Sequence, residues 1–268
     1  MTQIPFKAVA IDMDGTFLRD DKSYDKKLFS ELLNKMKEKD IHFIVASGNQ
    51  FERTRLDFTE YWKDMSFVAE NGMYLVDDGK DLSYEQLDRS LVEELVDFMA
   101  QRSELTPALC GKENAYLEKN SDSKFVKMMK YYLPKHKIVD SFEQLPDDVF
   151  FKFTVDVPKE KTLSTVDEIN KKFAERVFAT SSGFGNFDLI LPHVNKAVGL
   201  EKMLASWNLT LDDLVAFGDG GNDLEMLKAA GLSYAMENGS DEVKKVADKI
   251  APNNNDSGVL KVLADYLM

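Results

Sequence analysis

The chain has 268 residues, 44% hydrophobic and 30% charged, with a formal charge of −13 and a single cysteine, Cys110. That length calls for one large or two moderate domains, and the acidic balance argues against nucleic acid, whose backbone is bound through clustered Lys and Arg. One cysteine excludes an internal disulfide framework. No apolar run approaches the roughly 18 residues that cross a bilayer, and Met1 to Lys7 lacks a basic segment followed by an apolar core, so a cytoplasmic location without membrane association is expected.

Ala8 to Ile11 reads as a buried strand that ends in Asp12-Met13-Asp14-Gly15-Thr16. Leu28, Phe29, Leu32, Leu33 and Met36 recur at helical spacing, and Ile41 to Ala46 forms a second apolar strand, followed by Ser47-Gly48-Asn49. Phe67-Val68-Ala69 is a third, closed by Glu70-Asn71-Gly72. The pattern then changes. Helical spacing from Leu91 to Met99 and from Leu163 to Phe173 accompanies alternating or turn-bounded strands, Phe151 to Val157 and Phe187 to Leu191. From Lys196 onward the first pattern returns, with a helix through Leu200, Met203, Leu204 and Trp207, a strand from Leu214 to Phe217, and a helix through Leu224, Leu227 and Ala230. These runs predict an α/β core of residues 1–82 and 193–268 around a parallel sheet buried on both faces. A mainly antiparallel α+β insert, residues 83–192, interrupts it.

In such a sheet ligands bind beyond the carboxyl ends of the strands, so polar residues there are expected to converge. Asp12 is suited to attack phosphorus, splitting one difficult displacement into two easier ones, and Asp14 is the natural proton handler. Ser47 and the amides of Gly48 and Asn49 offer phosphate contacts, and Lys196 offers a compact positive charge. Gly218-Asp219-Gly220-Gly221-Asn222-Asp223 joins a hard oxygen ligand to a turn that lets main chain approach closely. Asp12, Asp219 and the Asp14 carbonyl could together hold one Mg²⁺, without which Asp12 would face like-charge repulsion from a phosphate.

Each piece has an ordinary reading on its own. Paired aspartates are usually solvated loop acidity, Ser47 a cap and Lys196 a surface lysine, while Asn222 and Asp223 could cap the helix near Leu224. Four such segments at four strand or helix ends favour a site. His42, His136 and His193 show no metal-ligand spacing and are expected to be structural or solvated, although His193 and Gly183-Phe184-Gly185 would face substrate if the insert closes over the core. Phe17, Tyr116 and Phe184 are expected in the core or a hinge. There is no dinucleotide fingerprint, and Gly218 to Asp223 lacks the Lys-Ser/Thr ending of a P-loop.

The four segments resemble, in order, the four motifs of the haloacid dehalogenase superfamily of phosphohydrolases: a D-x-D pair, a Ser/Thr, a Lys and a terminal acidic cluster. The long insert between Ser47 and Lys196 is similar to that of the Cof-type subfamily, which carries an α/β cap there. Val45-Ala46-Ser47-Gly48-Asn49-Gln50, Ala69-Glu70-Asn71-Gly72, Ser182-Gly183-Phe184-Gly185 and Gly221-Asn222-Asp223 resemble bacterial sugar phosphatases of that group. The resemblance implies a Rossmann-like core with an inserted cap, Asp12 as nucleophile and Asp14 as general acid and base. It also implies Asp12, Asp14 and Asp219 as Mg²⁺ ligands, Asp223 as a supporting carboxylate, and phosphate contacts from the Met13 amide, Ser47, Gly48, Lys196 and Asn222. Ala197 departs from the pattern, since many relatives place glycine after the lysine, but no functional group is lost.

The implied activity is Mg²⁺-dependent hydrolysis of a small phosphate monoester, a sugar phosphate, through an aspartyl phosphate, by a monomer or weak homo-oligomer. Metal contact is expected to depress the Asp12 pKa and bound phosphate to raise that of Asp14. Other readings are a phosphotransferase or mutase sharing the intermediate, a noncatalytic sugar-phosphate-binding regulator, and a phosphorylatable signalling receiver, against which the large insert argues.

Overall fold

The structure is a computed structural model that describes residues 4–183 and 186–268. Its contacts divide the chain into two compact units, one comprising the residues up to Tyr84 together with Asn195–Met268, the other Glu85–Val194.

The first unit opens with β1 (Ala8–Ile11), α1 (Lys26–Glu38), β2 (His42–Ala46), α2 (Phe51–Asp57), β3 (Ser66–Ala69), β4 (Tyr74–Asp77) and β5 (Lys80–Tyr84). The second unit holds α3 (Arg89–Ala100), β6 (Thr106–Gly111), β7 (Ala115–Glu118), α4 (Ser123–Tyr132), β8 (His136–Val139), β9 (Phe150–Asp156), α5 (Thr162–Lys172), β10 (Phe178–Gly183) and β11 (Asn186–Ile190). The chain then returns to the first unit through α6 (Lys196–Ser206), β12 (Leu214–Gly218), α7 (Leu224–Ala229), β13 (Leu232–Met236), α8 (Asp241–Val246), β14 (Lys249–Ala251) and α9 (Gly258–Leu267).

The strands of the first unit form one sheet in the order β14-β13-β12-β1-β2-β3-β4-β5, parallel from β14 to β3. Every residue of β1, and of β12, is buried, as continuous apolar strands covered on both faces must be. Helix α1 shows how a flanking layer is specified. The Asp25 carboxylate accepts the Leu28 amide at 3.0 Å and starts the helix, and the buried stripe Phe29, Leu32, Leu33 and Met36 turns it onto the sheet. Phe17 packs edge-on to Phe29 in the same layer and is core, as its sequence context suggests.

The antiparallel β3-β4-β5 edge is absent from the sequence expectation. Strand β5 is exposed along its whole length and begins Lys-Asp, so it carries no hydrophobic signal. Pairing with β4 alone makes it a strand, and it keeps Ser83 and Tyr84 in the first unit, which places the boundary two residues beyond the expected one. No helix among the described residues is long and apolar enough to cross a membrane.

The second unit is a six-stranded sheet, β10-β11-β9-β6-β7-β8, antiparallel except at β7-β8. Helices α3 and α5 cover one face, where Leu95, Phe98, Phe153, Ile169, Phe173 and Phe187 form the core. Helix α4 covers part of the other, setting Phe125 and Met129 against Ala108, Cys110 and Leu117. Cys110 is a buried apolar filler. Tyr116 is buried too, its hydroxyl donating to Asp148 at 2.8 Å.

A charged pair is buried in this sheet. Lys152 Nζ lies 2.8 Å from Asp188 Oδ2, and Thr154 Oγ1 donates to Asp188 Oδ1 at 2.8 Å. Removing one partner of such a pair strands the other, so Asp188→Ala should cost about 3–5 kcal/mol. The double variant Lys152→Met, Asp188→Leu should recover most of that loss in urea unfolding curves, and a double variant no better than the single would contradict this account.

Candidate active site

Parallel pairing sets Ile11 level with Phe217 on one side and with Val45 on the other. The next residues along each strand leave the sheet at the same edge, which brings Asp12, Asp219 and Ser47 together. Asp12 N–H extends the ladder to Phe217 carbonyl at 3.0 Å, and Ser47 N–H does the same to Val68 carbonyl at 2.9 Å. The chain after Asp12 then folds back on itself, as the Met13 carbonyl accepts the amides of Phe17 and Leu18 at 3.1 and 2.9 Å. Gly15 makes that reversal at φ +81°, and a Cβ there would lie 2.4 Å from Asp219 Oδ2. Thr16 Oγ1 donates to Asp219 Oδ1 at 2.7 Å, and Asn238 Nδ2 to the Gly15 carbonyl at 2.7 Å.

Helix α6 supplies the cation. Asn195 caps it by accepting the Val198 amide at 3.0 Å, which puts Lys196 on its first turn. Ala197 is buried at the next position and leaves the helix start regular. Lys196 Nζ lies 2.5 Å from Asp12 Oδ1 and 2.7 Å from Asp223 Oδ1, with its side chain fully buried. An ammonium has three donors, so one remains for an anion. Asp223 is also fully buried, and its Oδ2 accepts the amides of Asp219 at 2.9 Å and Gly220 at 3.0 Å. It therefore braces both the lysine and the turn that carries Asp219.

The electrostatics follow from crowding. Burial holds the Asp12 carboxyl well above its ordinary range; Lys196 opposes this, and Asp223 and Asp219 add to it. The protein groups alone thus push Asp12 upward, opposite to the depression expected with metal in place. Burial pushes Asp219 up to about 6, opposed by the Thr16 hydroxyl and reinforced by Asp223. Lys196 is raised above its usual value, because Asp12 and Asp223 outweigh its own burial.

Asp12, Asp219 and Asp223 present carboxylate oxygens within 4.8 Å of one another, the one such acidic group among the described residues. Hard oxygens with an excess of negative charge fit a divalent cation such as Mg²⁺. Asp14, expected among the ligands, turns its carboxylate elsewhere, accepting from Lys22 Nζ at 2.7 Å and Asn49 Nδ2 at 2.8 Å. Its main-chain carbonyl is the atom the sequence reading assigned to the metal.

Ser47 is buried, with its Oγ accepting the Asn49 amide at 3.1 Å. A Cβ on Gly48 would meet Asn71 Oδ1 at 2.9 Å, so the missing side chain admits Asn71. Asn222 is exposed, and its Nδ2 reaches Asn71 Oδ1 at 3.4 Å. Sequence reasoning gave no role to Thr16, Lys22, Asn71 or Asn238; Thr16 and Asn71 do stand inside motifs quoted above. His42 stacks on Trp207 with ring centroids 3.8 Å apart, and His136 Nδ1 pairs with the Leu133 carbonyl at 2.8 Å, so both are structural. Phe184 and Gly185 lie outside the described residues.

An open α/β sheet carrying a buried lysine between aspartates near its strand ends offers a cation, hard oxygen ligands and free main-chain approach to an anionic group such as a phosphate. A family model described as haloacid dehalogenase-like hydrolase matches residues 9–263, and the chain belongs to that family. It is 37% identical over 261 residues to the Escherichia coli 5-amino-6-(5-phospho-D-ribitylamino)uracil phosphatase YbjI, covering 97% of this chain and 96% of the relative. It is 28% identical over 254 residues to phosphoglycolate phosphatase 1 of Saccharolobus solfataricus, covering 94% and 92%. The crystal structure of SMU.1108c from Streptococcus mutans superposes with a TM-score of 0.92 at 38% identity, covering 98% of this chain and 99% of that one. These relationships make the chain an enzyme of the phosphoric monoester hydrolase class.

Gly15→Ala tests the close approach over Asp219. The added methyl must displace the Asp219 carboxylate and hold a left-handed φ, so stability should fall by about 1–3 kcal/mol and Mg²⁺ affinity at least about tenfold. Titration calorimetry with Mg²⁺ reads this, and unchanged affinity would refute it.

Proposed function

We propose that the chain is a Mg²⁺-dependent phosphatase acting on a small alkyl phosphate monoester, a phosphorylated sugar or sugar alcohol, through an aspartyl phosphate on Asp12. The observation that carries this reading is the placement of Lys196 between Asp12 and Asp223, with Asp219 adjacent. The substrate class is supported by the relatives named above, whose names specify a phosphorylated ribityl chain in one case and phosphoglycolate in the other. Both are phosphates of alcohols.

Asp12 would attack phosphorus in line, its oxygen bonding to phosphorus as the ester P–O bond breaks and the electron pair passes to the leaving alkoxide. Asp14 gives that alkoxide its proton. Water then loses a proton to the Asp14 carboxylate while its oxygen attacks phosphorus, and Asp12 is released ionised. The third donor of Lys196, the Ser47 hydroxyl, the Met13 and Gly48 amides and Asn222 bind the phosphoryl oxygens, whose spread of charge is the chief demand of this reaction. Bound Mg²⁺, held by Asp12, Asp219 and the Asp14 carbonyl with Asp223 in support, would offset the charge between nucleophile and phosphate. Residues 85–194 would form the cap that selects the leaving group.

Phosphate release from a panel of sugar, sugar-alcohol and nucleotide monophosphates, with Mg²⁺ and with chelator, tests the whole reading. Activity should require Mg²⁺, fall at least about 10³-fold in Asp12→Asn, and favour sugar or polyol phosphates. Full activity in Asp12→Asn would sink the mechanism, and a phosphorylated acceptor in place of free phosphate would make the enzyme a phosphotransferase. Exchanging residues 85–194 for the corresponding segment of a relative should move substrate preference, and an unmoved preference would remove the cap from specificity.

A further inference from the structure

Asp14 is gripped from two sides by unlike partners. Lys22 Nζ lies 2.7 Å from Oδ1 in an exposed pair, each side chain 38% accessible. Asn49 Nδ2 donates to Oδ2 at 2.8 Å from a more enclosed position. Asn49 is also the more firmly placed of the two. Its amide donates to Ser47 Oγ at 3.1 Å, and its carbonyl accepts the Glu70 amide at 3.2 Å. The Ser47 carbonyl accepts the Asn71 amide at 3.0 Å. Glu70 and Asn71 both take left-handed conformations, at φ 52° and 57°, and that bend turns their amides toward the segment after β2. Main-chain bonds therefore tie the residues following β2 to those following β3, and the Asn49 side chain projects from that brace onto Asp14.

We propose that Asn49 is the positioning residue for Asp14, fixing where its carboxyl group sits. The Asn49 side chain that reaches Oδ2 stands on main chain tied to Ser47 and Glu70, whereas the Lys22 ammonium reaches Oδ1 from an exposed and flexible stem. A group that moves a proton acts only within hydrogen-bond reach of it, so a fixed carboxyl matters at the step where the leaving group is protonated. The brace also couples proton transfer to phosphate binding, since the same Ser47 that offers its hydroxyl to phosphate fixes the Asn49 amide. The inference rests on the assignment of Asp14 as acid and base.

Asn49→Ala removes the carboxamide while keeping the main-chain bonds to Ser47 and Glu70. Two substrates separate positioning from general damage. The fastest alkyl phosphate of the panel releases an alkoxide that needs a proton, whereas p-nitrophenyl phosphate releases a phenolate that does not. Because kcat/KM reports events up to ester cleavage, Asn49→Ala should lose about 10- to 100-fold on the alkyl phosphate and less than about threefold on the aryl one. Inhibition by inorganic phosphate should be unchanged, and Asn49→Gln should restore part of the alkyl rate. Asp14→Asn, measured alongside, should show the same split more strongly. If Asp14→Asn splits the substrates and Asn49→Ala does not, through equal losses or none, the positioning role is overturned and the role of Asp14 stands. If Asp14→Asn fails to split them, the acid-base assignment falls and this inference falls with it. Asn49→Ser provides the same comparison should the alanine variant not fold.

Discussion

A lysine ammonium buried between two carboxylates is the constraint on which the rest of the site depends. Lys196 is only 1% exposed, and a charge taken so far from water is tolerated only when partners replace its solvation. Asp12 and Asp223 replace it, and each is then fixed in turn. Asp12 stands at the end of a central strand, and Asp223 is pinned by two amides of its own turn. Loss of Lys196 would strand two buried carboxylates, and loss of either aspartate would strip the lysine of one of its two partners, so three segments far apart in sequence are locked by one electrostatic requirement.

The fold meets that requirement through close main-chain approaches. Helix α6 must lie near enough to the sheet for its first residue to reach Asp12. A Cβ on Gly199, one turn along, would come within 2.5 Å of Val68 Cγ1 and 3.1 Å of Gly72 Cα, so the glycine sets that distance. Gly218 plays the matching part on the other strand, where a Cβ would lie 2.5 Å from that of Asp223. Small residues thus bring the charges together and the charges hold the backbone there. Packing and electrostatics specify the same geometry, and consistency of that kind favours a single native state.

The central strands were legible because three or four apolar residues in a row, ending in a polar cluster, have few other uses in a chain of this composition. The site was legible for a related reason, since Asp12, Ser47, Lys196 and Asp219 each follow or begin such an element. Strand β5 was not, because an edge strand with every residue exposed has no buried face to read. Thr16, Lys22, Asn71 and Asn238 were missed because their roles are set by contacts across 203, 8, 151 and 223 residues, which spacing along the chain does not encode. The sign of the Asp12 shift shares that origin, as burial and two neighbouring aspartates enter only once the chain has folded.

Two carboxylates separated by one residue are placed in different surroundings. Asp12 continues the strand and is 7% exposed, which suits the shielded nucleophile proposed for it. Asp14 sits past the first bend, where its side chain is 38% accessible and accepts from an exposed lysine and an asparagine. The reaction proposed above makes use of that openness, because in its second half Asp14 would take a proton from water that has reached the site. The Asp14 position is open to solvent, whereas the buried position beside Lys196 is closed to it. The reversal that begins at Met13, whose carbonyl accepts the amides of Phe17 and Leu18, is therefore what separates the two environments: the chain leaves the buried strand end directly after Asp12, and the Asp14 carboxylate is accessible where that of Asp12 is buried.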